Sequence, residues 1–403
     1  MKTFYRGYKF KLYPTEEQAK QIEEFFHLTR SIYNWGVALE IKTRKDHKRK
    51  LVKFKRHSNY ELRALFREER NKENSKFDFF KNVPSETGCL VMDRVWKAFD
   101  KYYAHENNHP KFRTKKKPKN SFTTRYDRFY IRNDKIKIEG ISSYIDIGFN
   151  CGLWINKASN PVVSKDDLGD YYISFSLEEE VKPLDIPTTE GIGIDLGIRQ
   201  NIVLSDGTVY NQPNEKIAKL DRKRRKLQKH VNRDIDRRYE ESKRTRTKYE
   251  DIPKSKRAIK RENRLYKYNK KIYHIKDTWT HTTTKRIVER NPQFVCMETV
   301  STQKICKNAN FMHNVMHKIS FYNITETFKE KCEERGIKFI QAPTEFPSTK
   351  TCSRCGHVKE MMGSQCKYRC KICGLVEDRD INAAINLKNY GMNFYSNNIS
   401  ILE

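Results

Sequence analysis

The chain has 403 residues, room for two or three domains with cores of their own, and its 82 Lys and Arg against 51 Asp and Glu give a formal charge of +31. A surplus that large repels itself unless a polyanion neutralises it, so nucleic acid is the expected partner and a merely soluble basic protein the weaker reading. No apolar run approaches bilayer length and Met1–Phe10 has no signal-peptide core, so a membrane partner is the weaker expectation and a cytoplasmic chain the expected one.

The opening "GYKFKLYPTEEQ" reads as a strand stopped by Pro14 and then a helix, with Thr15 and Gln18 at the spacing of a capping box. Ile22, Phe25, Phe26, Ile32, Tyr33 and Trp35 recur at helical intervals and predict a helix with a broad buried face. A basic stretch, Lys42 to Arg56, follows. A second helix is expected from Ser85 to about Glu106, with Met92, Val95, Trp96, Phe99 and Tyr103 on one side. "HPKFRTKKKPKNSFTTR" is then a Pro-broken basic loop, and "FYIRN", "KIKIEG", "YIDIGF" and "YYISFSL" are short alternating strands. Residues 1–183 are therefore expected to form a small β-barrel or sandwich with a helical insertion over about 15–120, and 184–190 a linker.

The second half changes character. "GIGIDLG" is a glycine-bounded apolar strand and "QNIVLSDGTVY" its hairpin partner. From Lys216 to Lys276 helix formers dominate, with 25 Lys and Arg against 8 acids. Leu220, Leu227 and Val231 on one side, and Ile259, Leu265, Tyr268 and Ile272 on the other, predict a helical hairpin, bounded at about 214–290. Its "RKRRK" block, with Arg222, Arg224 and Arg225, suits phosphate contact better than a nuclear-import role because it lies inside the hairpin. "PQFVCMETV" is another strand ending in an acid, Met312–Arg335 an amphipathic helix, and "IKFIQAP" a strand.

Two constellations carry chemistry. The ten cysteines of a cytoplasmic chain are expected reduced and are read for metal. Cys352-x2-Cys355 and Cys370-x2-Cys373, separated by fourteen residues, have the spacing of a zinc ribbon over 345–376. Two CxxC turns complete a tetrahedron around one Zn²⁺ and leave no position for substrate, so that site is structural. Cys366, Cys89, Cys151, Cys296, Cys306 and Cys332 are read as spectators.

The second constellation is acidic. Asp195 ends "GIGID", Glu298 ends "FVCME", and Asp380 opens the last helix. Acids at strand ends of an α/β sheet point into the crevice where ligands bind. Converging carboxylates hold hard cations such as Mg²⁺, and two such ions about 4 Å apart suit phosphodiester hydrolysis. Singly, each acid has an ordinary reading: a turn cap, a strand end, an N-cap. Together, in so basic a chain, the metal reading is preferred. Asp378 and Asp380 cannot serve alike, because residues two apart point away from each other in a strand or a helix. Small Ala383 and Ala384, and Ile381 and Ile385 on one face, make Asp380 the start of the packed helix and leave Asp378 and Glu377 at the exit from the ribbon.

In order, "GIGIDLGIRQNIVLSDG", "FVCMETV", "PSTKTCSRCG…CKICG" and "EDRDINAAINL" resemble the motifs of the TnpB family, transposon-encoded RNA-guided DNA endonucleases related to type V CRISPR effectors. "YKFKLYPTEEQ", "YNWGVALE" and "PKFRTKKKPKNSFTT" resemble the family's N-terminal half, so nearly the whole chain is covered. The resemblance implies an α+β and α/β multidomain fold. Its parts are an N-terminal wedge-type β-barrel with a helical recognition insertion and a ribonuclease-H-like (RuvC) nuclease domain, 191–344 and 377–395, interrupted by the zinc ribbon as a target-loading module, with 396–403 as a tail. It implies Asp195, Glu298 and Asp380 as catalytic acids holding two Mg²⁺, a guide RNA from the transposon end, double-stranded target DNA beside a short motif, and a prokaryotic, nucleoid-associated setting. Lys111 and Arg113 of the basic loop are expected at the DNA duplex. The family often has Lys after the histidine before the second motif, where Thr282 follows His281 here. Some relatives have lost the acids and act as RNA-guided DNA binders. A regulator with a vestigial site is therefore the alternative, though this chain keeps all three acids.

Overall fold

The computed structural model describes residues 3–48, 56–114, 120–148, 158–181, 190–299, 320–360 and 365–399, and it divides into two units. One comprises Tyr5–Glu179 with Arg238–Lys254, the other Met1–Phe4, Glu180–Arg237 and Ser255–Glu403. The expected linker is outside the described residues apart from Glu190, as are the start of the helix expected from Met312, Cys151 and Cys306.

The unit around Tyr5–Glu179 begins with strand β1 (Thr3–Leu12), stopped before Pro14, and helix α1 (Glu16–Lys48). The capping box forms: the Thr15 amide donates to Gln18 Oε1 at 2.9 Å and the Gln18 amide to Thr15 Oγ1 at 3.3 Å. Two free amides of the first turn are thereby satisfied. Ile22, Phe25, Phe26, Ile32 and Tyr33 are buried along α1, and Met92, Val95 and Phe99 along α3 (Ser85–Tyr103). Between them α2 (Asn59–Asn71), a helix the apolar periodicity does not announce, has its own capping box of Ser58 and Glu61. Short strands follow: β2 (Ser121–Thr123), β3 (Phe129–Arg132), β4 (Lys135–Ile138), β5 (Ile145–Asp146), β6 (Val162–Lys165) and β7 (Tyr171–Glu180). They form a sheet ordered β1-β7-β6-β2 and a second ordered β3-β4-β5, joined by a bridge between Tyr13 and Asp146. Their apolar sides share one core with the helices, in which Phe122 meets Phe25 edge-on at 5.3 Å.

The other unit is built on strands β8 (Ile192–Asp195), β9 (Ile202–Leu204), β10 (Val209–Tyr210), β11 (Phe294–Glu298) and β12 (Lys338–Ala342). The sheet order is β10-β9-β8-β11-β12. β8, β11 and β12 run parallel, while β9 is antiparallel to both β8 and β10. Helices α5 (Lys256–Val288) and α6 (Phe321–Arg335) share a core with one face through Ile192, Ile194, Val295 and Met297. A small antiparallel pair, β13 (Lys367–Arg369) and β14 (Val376–Asp378), precedes the final helix α7 (Arg379–Ile399). That helix shares the other face of the sheet with Phe294, Cys296 and Ile340 through Leu387. Period-2 alternation thus sorts each strand between two cores.

Helix α4 (Asn214–Thr245) and α5 make the basic hairpin, tied by an Arg261–Asp234 ion pair at 2.8 Å. Val231 and Leu265 are buried as expected, but Ile259 is 44% exposed and Ala258 takes the inward place. The reason is geometric. Ala258 is seven residues, two turns, before Leu265 and shares its stripe, so Ile259 is rotated off it by about 100°.

Candidate active site

The first acid is placed by a close helix-on-strand contact. A methyl group on Gly193 would lie 2.0 Å from the Ala384 carbonyl oxygen and 2.3 Å from the Lys388 amide, so α7 packs directly on β8 only because that residue is glycine. Ala383 and Ala384 are fully buried on the facing side. Alternation turns Asp195 to the same face as Gly193, and Glu298 to the same face as Phe294 and Cys296. Both acids therefore look toward the α7 side, where Asp380 occupies the first turn of the helix.

Asp195 and Asp380 are 7% and 5% exposed, and Glu298 is half-buried. Burial, and then the carboxylates of Asp380 and Glu298, push Asp195 up to about 8, against partial relief from Arg379. Burial also raises Glu298, whose Oε2 accepts a hydrogen bond from Ser348 Oγ at 3.3 Å. Arg379 binds Asp380 Oδ1 at 3.0 Å. Hard oxygen donors with more negative charge than the protein neutralises are the donor set a divalent cation fits. The three carboxylates do not close on a single point. Among the described residues, only four thiols place one ligand atom each within 4.8 Å of all the others.

Asp378 does different work. It ends β14, and its Oδ1 accepts the Asp380 amide at 2.9 Å, capping α7. Its other oxygen is 3.7 Å from Arg199, which also donates to Cys366 Sγ at 2.7 Å. Cys366 is exposed and outside the thiol group, while Cys89, Cys296 and Cys332 are buried.

The thiol group is Cys352, Cys355, Cys370 and Cys373. Each CxxC turn is followed by a glycine in the left-handed region, Gly356 at φ 74° and Gly374 at φ 73°. The Gly356 amide then reaches back to the Cys352 carbonyl at 2.9 Å, and that of Gly374 to Cys370 at 3.2 Å. The amides of Cys373 and Ile372 hold the Cys370 thiol down at about 6 against burial, the direction a ligating thiolate needs. The His357 amide lowers Cys355, but burial and the neighbouring thiols push it up to about 12. Four such groups ionise together only around a cation, and the donor set fits tetrahedral zinc. Tyr368 is fully buried beneath them, its hydroxyl shared between the carbonyls of Lys350 and His357, each at 3.1 Å.

Two asparagines of the "EDRDINAAINL" stretch, to which the sequence analysis gave no role, fasten this ribbon to the acids. Asn382 Nδ2 donates to the Thr351 carbonyl at 2.7 Å, and Asn382 Oδ1 accepts the Ser353 amide at 3.0 Å. Asn386 Nδ2 reaches the carbonyls of Ser348 and Thr351, both at 2.7 Å. The one signal that could have found them is their i,i+4 spacing on an apolar helix, both being buried.

The expected nucleic-acid contacts are differently disposed. Arg222 and Lys111 are exposed. Arg224 and Arg225 both bind Asp221, each at 2.7 Å. Arg113 stacks on the Tyr33 ring at 3.6 Å, and its backbone is held by the Asn34 side chain. Among the described residues no helix is long and apolar enough to cross a membrane.

Comparison with known proteins places this arrangement. The family model described as the Cas12f1-like TNB domain matches residues 321–387, from α6 through the ribbon into α7. A second, described as a helix-turn-helix domain, matches residues 1–49, where the structure has β1 and the single uninterrupted helix α1. A Streptomyces pristinaespiralis protein named "Putative RNA-guided DNA endonuclease" is 26% identical over 388 residues, 96% of this chain and 89% of that protein. A TnpB-like protein of Acanthamoeba polyphaga mimivirus is 27% identical over 143 residues, 34% of this chain and 27% of its own length. Among solved structures, Cas12f1 in a complex with sgRNA and target DNA aligns over 96% of this chain and 99% of its own, with TM-score 0.50 and 11% identity. The fold is thus that of the compact Cas12f-like effectors. Within that class, the matched domains and the named relatives support a TnpB family member.

Proposed function

We propose that the chain is an RNA-guided, Mg²⁺-dependent DNA endonuclease encoded by a transposon, cutting double-stranded DNA matched to a guide RNA from the transposon end and lying beside a short DNA motif. The carrying observation is that acids from β8, β11 and α7 turn to one face of a mixed sheet, where burial first, and then the charges of Asp380 and Glu298, raise Asp195 to about 8. A central β8 flanked by antiparallel β9 and parallel β11 supports the ribonuclease-H-like, RuvC-type reading of 191–344 and 377–395. The two bridged sheets support the wedge-type barrel over 1–183.

In this reading Asp195, Glu298 and Asp380 hold two Mg²⁺ ions, which when bound supply an activated water and stabilise the leaving oxygen. Ser348 orients Glu298, Asp378 fixes the first turn that carries Asp380, and the ribbon, holding one structural Zn²⁺, braces both. The expected result is nicking of a matched plasmid by the purified chain with its copurifying RNA when Mg²⁺ is added, and none with chelator or a mismatched plasmid. Guide-dependent binding without nicking would instead support the regulator with a vestigial site.

Guide RNA binding is expected to depend on the hairpin and not on the acids. Because Arg224 and Arg225 share Asp221 while Arg222 is exposed, neutralising all three removes a local surplus of about two charges. The triple Gln variant should bind RNA more weakly, with the slope of log Kobs against log salt flattened by about one unit for each phosphate no longer neutralised. Unchanged affinity would assign the hairpin another role.

A further inference from the structure

Opposite the acids, α5 and the β9–β10 hairpin border a cleft of about 860 Å³. Its inner wall is apolar: Tyr210, Ile275 and Trp279 line it, and the Tyr210 and Trp279 rings rest on the core beneath the sheet. Tyr210 is further fixed by Arg290, whose Nη2 donates to its hydroxyl at 3.0 Å. Both rings are only part-buried, so part of each remains available to a ligand.

The rim is cationic. Lys216 from α4, and Lys267, Lys271 and Arg286 from α5, line the cleft, are exposed, and form no ion pair among the described residues. The acids nearest to them in sequence on and just after α5 are already engaged: Glu262 has a partner, Asp277 lies 3.9 Å from His281, and Glu289 pairs with Lys285 at 3.7 Å. Positions 267, 271, 275, 279, 282 and 286 advance by three or four residues and so form one stripe, about 28 Å long. Along it cations bracket an aromatic floor.

That alternation selects the ligand. A base presents a flat π-face that stacks on Trp or Tyr, and its backbone presents phosphates to Lys and Arg. A purely apolar partner would leave the cations unmatched, and a duplex keeps its bases stacked inside. An unpaired nucleotide satisfies floor and rim together.

The sheet decides which strand. Asp195 and Glu298 turn to the α7 face, whereas Ile192, Ile194, Val295 and Met297 turn to the core on which Tyr210 and Trp279 pack. A strand in the cleft is separated from the carboxylates by the sheet itself. That suits an RNA that must survive successive cleavage events, and not the strand to be cut. We propose, resting on the RNA-guided reading above, that this cleft captures an unpaired nucleotide of the guide RNA, with its base on Trp279 and Tyr210 and its flanking phosphates on Lys267, Lys271 and Arg286.

The test uses the full chain and the RNA that copurifies with it, resynthesised with 4-thiouridine for photocrosslinking. Crosslinks are expected on the α5 peptide that contains Trp279. Trp279→Leu should weaken RNA binding by about 5- to 100-fold, and Trp279→Phe should retain most of it, because the ring and not its size carries the stacking. The exposed pair Lys267→Gln and Lys271→Gln, which leaves the core untouched, should flatten the salt slope by about 1.4 units, two single-strand phosphate contacts. This pair and the crosslink decide the matter even if Trp279→Leu fails to fold. Wild-type chain that binds no RNA would overturn the RNA-guided reading itself. Wild-type binding with unchanged affinity and slope in the lysine pair, and no crosslink to α5, would overturn only the cleft assignment. Loss of target DNA binding with RNA binding retained would assign the cleft to DNA and overturn it equally.

Discussion

Asp380→Asn is expected to abolish DNA cleavage, by about 1,000-fold or more, while guide-dependent DNA binding stays at the parental level. Asp380 is 5% exposed on the first turn of α7 and close enough to Asp195 to raise it, so its charge is part of the cation demand of the site. Asn keeps the shape and removes the charge. Fold loss is not expected, and pH gives the sign. Burial, Asp380 and Glu298 raise Asp195 to about 8, so between the ordinary carboxylate range and that value the native chain binds more protons than the unfolded chain. Metal-free stability therefore falls as pH rises through that window. Removing the Asp380 charge relieves this repulsion, and the metal-free variant should melt no lower than the parent at neutral pH. Asp378→Asn is expected only to slow cleavage, because an Asn side-chain oxygen still accepts the Asp380 amide that Asp378 caps. Both variants are read by single-turnover plasmid cleavage and by DNA binding in chelator. The reverse ranking would move the metal role to Asp378. Loss of DNA binding in Asp380→Asn would make this acid a structural one.

What the sequence displays and what it withholds divide by the range of the interactions. Thr15 with Gln18, the strand ends at Asp195 and Glu298, and the two CxxC knuckles are patterns within a few residues, and they are legible because local geometry alone produces them. Ser58 with Glu61 is equally local, a second capping box, but no apolar stripe draws attention to α2. Gly193 stands in plain view in "GIGID". That its missing side chain admits α7 requires knowing that Ala384, 191 positions later, packs there. The Asn382 and Asn386 clamp and the Tyr210–Trp279 floor are likewise long-range, each half unremarkable until the fold supplies the other. Ile259 misleads for a different reason. An apolar residue near a helix start suggests the inner face, but the register from Leu265 gives that place to Ala258.

Cys370→Ser is expected to cost the chain its zinc and, with it, cleavage, while RNA binding is kept. The parent should carry about one zinc per chain by elemental analysis. Structural zinc of this kind contributes about 10–16 kcal/mol to a small domain, so its loss should unfold the ribbon rather than loosen it. Apart from the thiols, its small core consists of Tyr368 and part-buried Leu375, too little to stand without the metal. The damage should then travel by a short route. Without the ribbon, Asn382 and Asn386 lose the Thr351 and Ser348 carbonyls, and Glu298 loses the hydroxyl of Ser348. Amide hydrogen exchange should therefore rise in 348–353 and in the first turns of α7, and not in α4 and α5. Asn386→Ala isolates that route, because it cuts the clamp and spares the thiols. Zinc should stay at about one per chain while cleavage falls by about 10- to 100-fold, the usual consequence of removing a group that orients a metal ligand. Zinc-free Cys370→Ser protein that folds and cleaves normally would show that the knuckles brace nothing. Full cleavage by Asn386→Ala would show that the ribbon acts on the acids by some path other than this clamp.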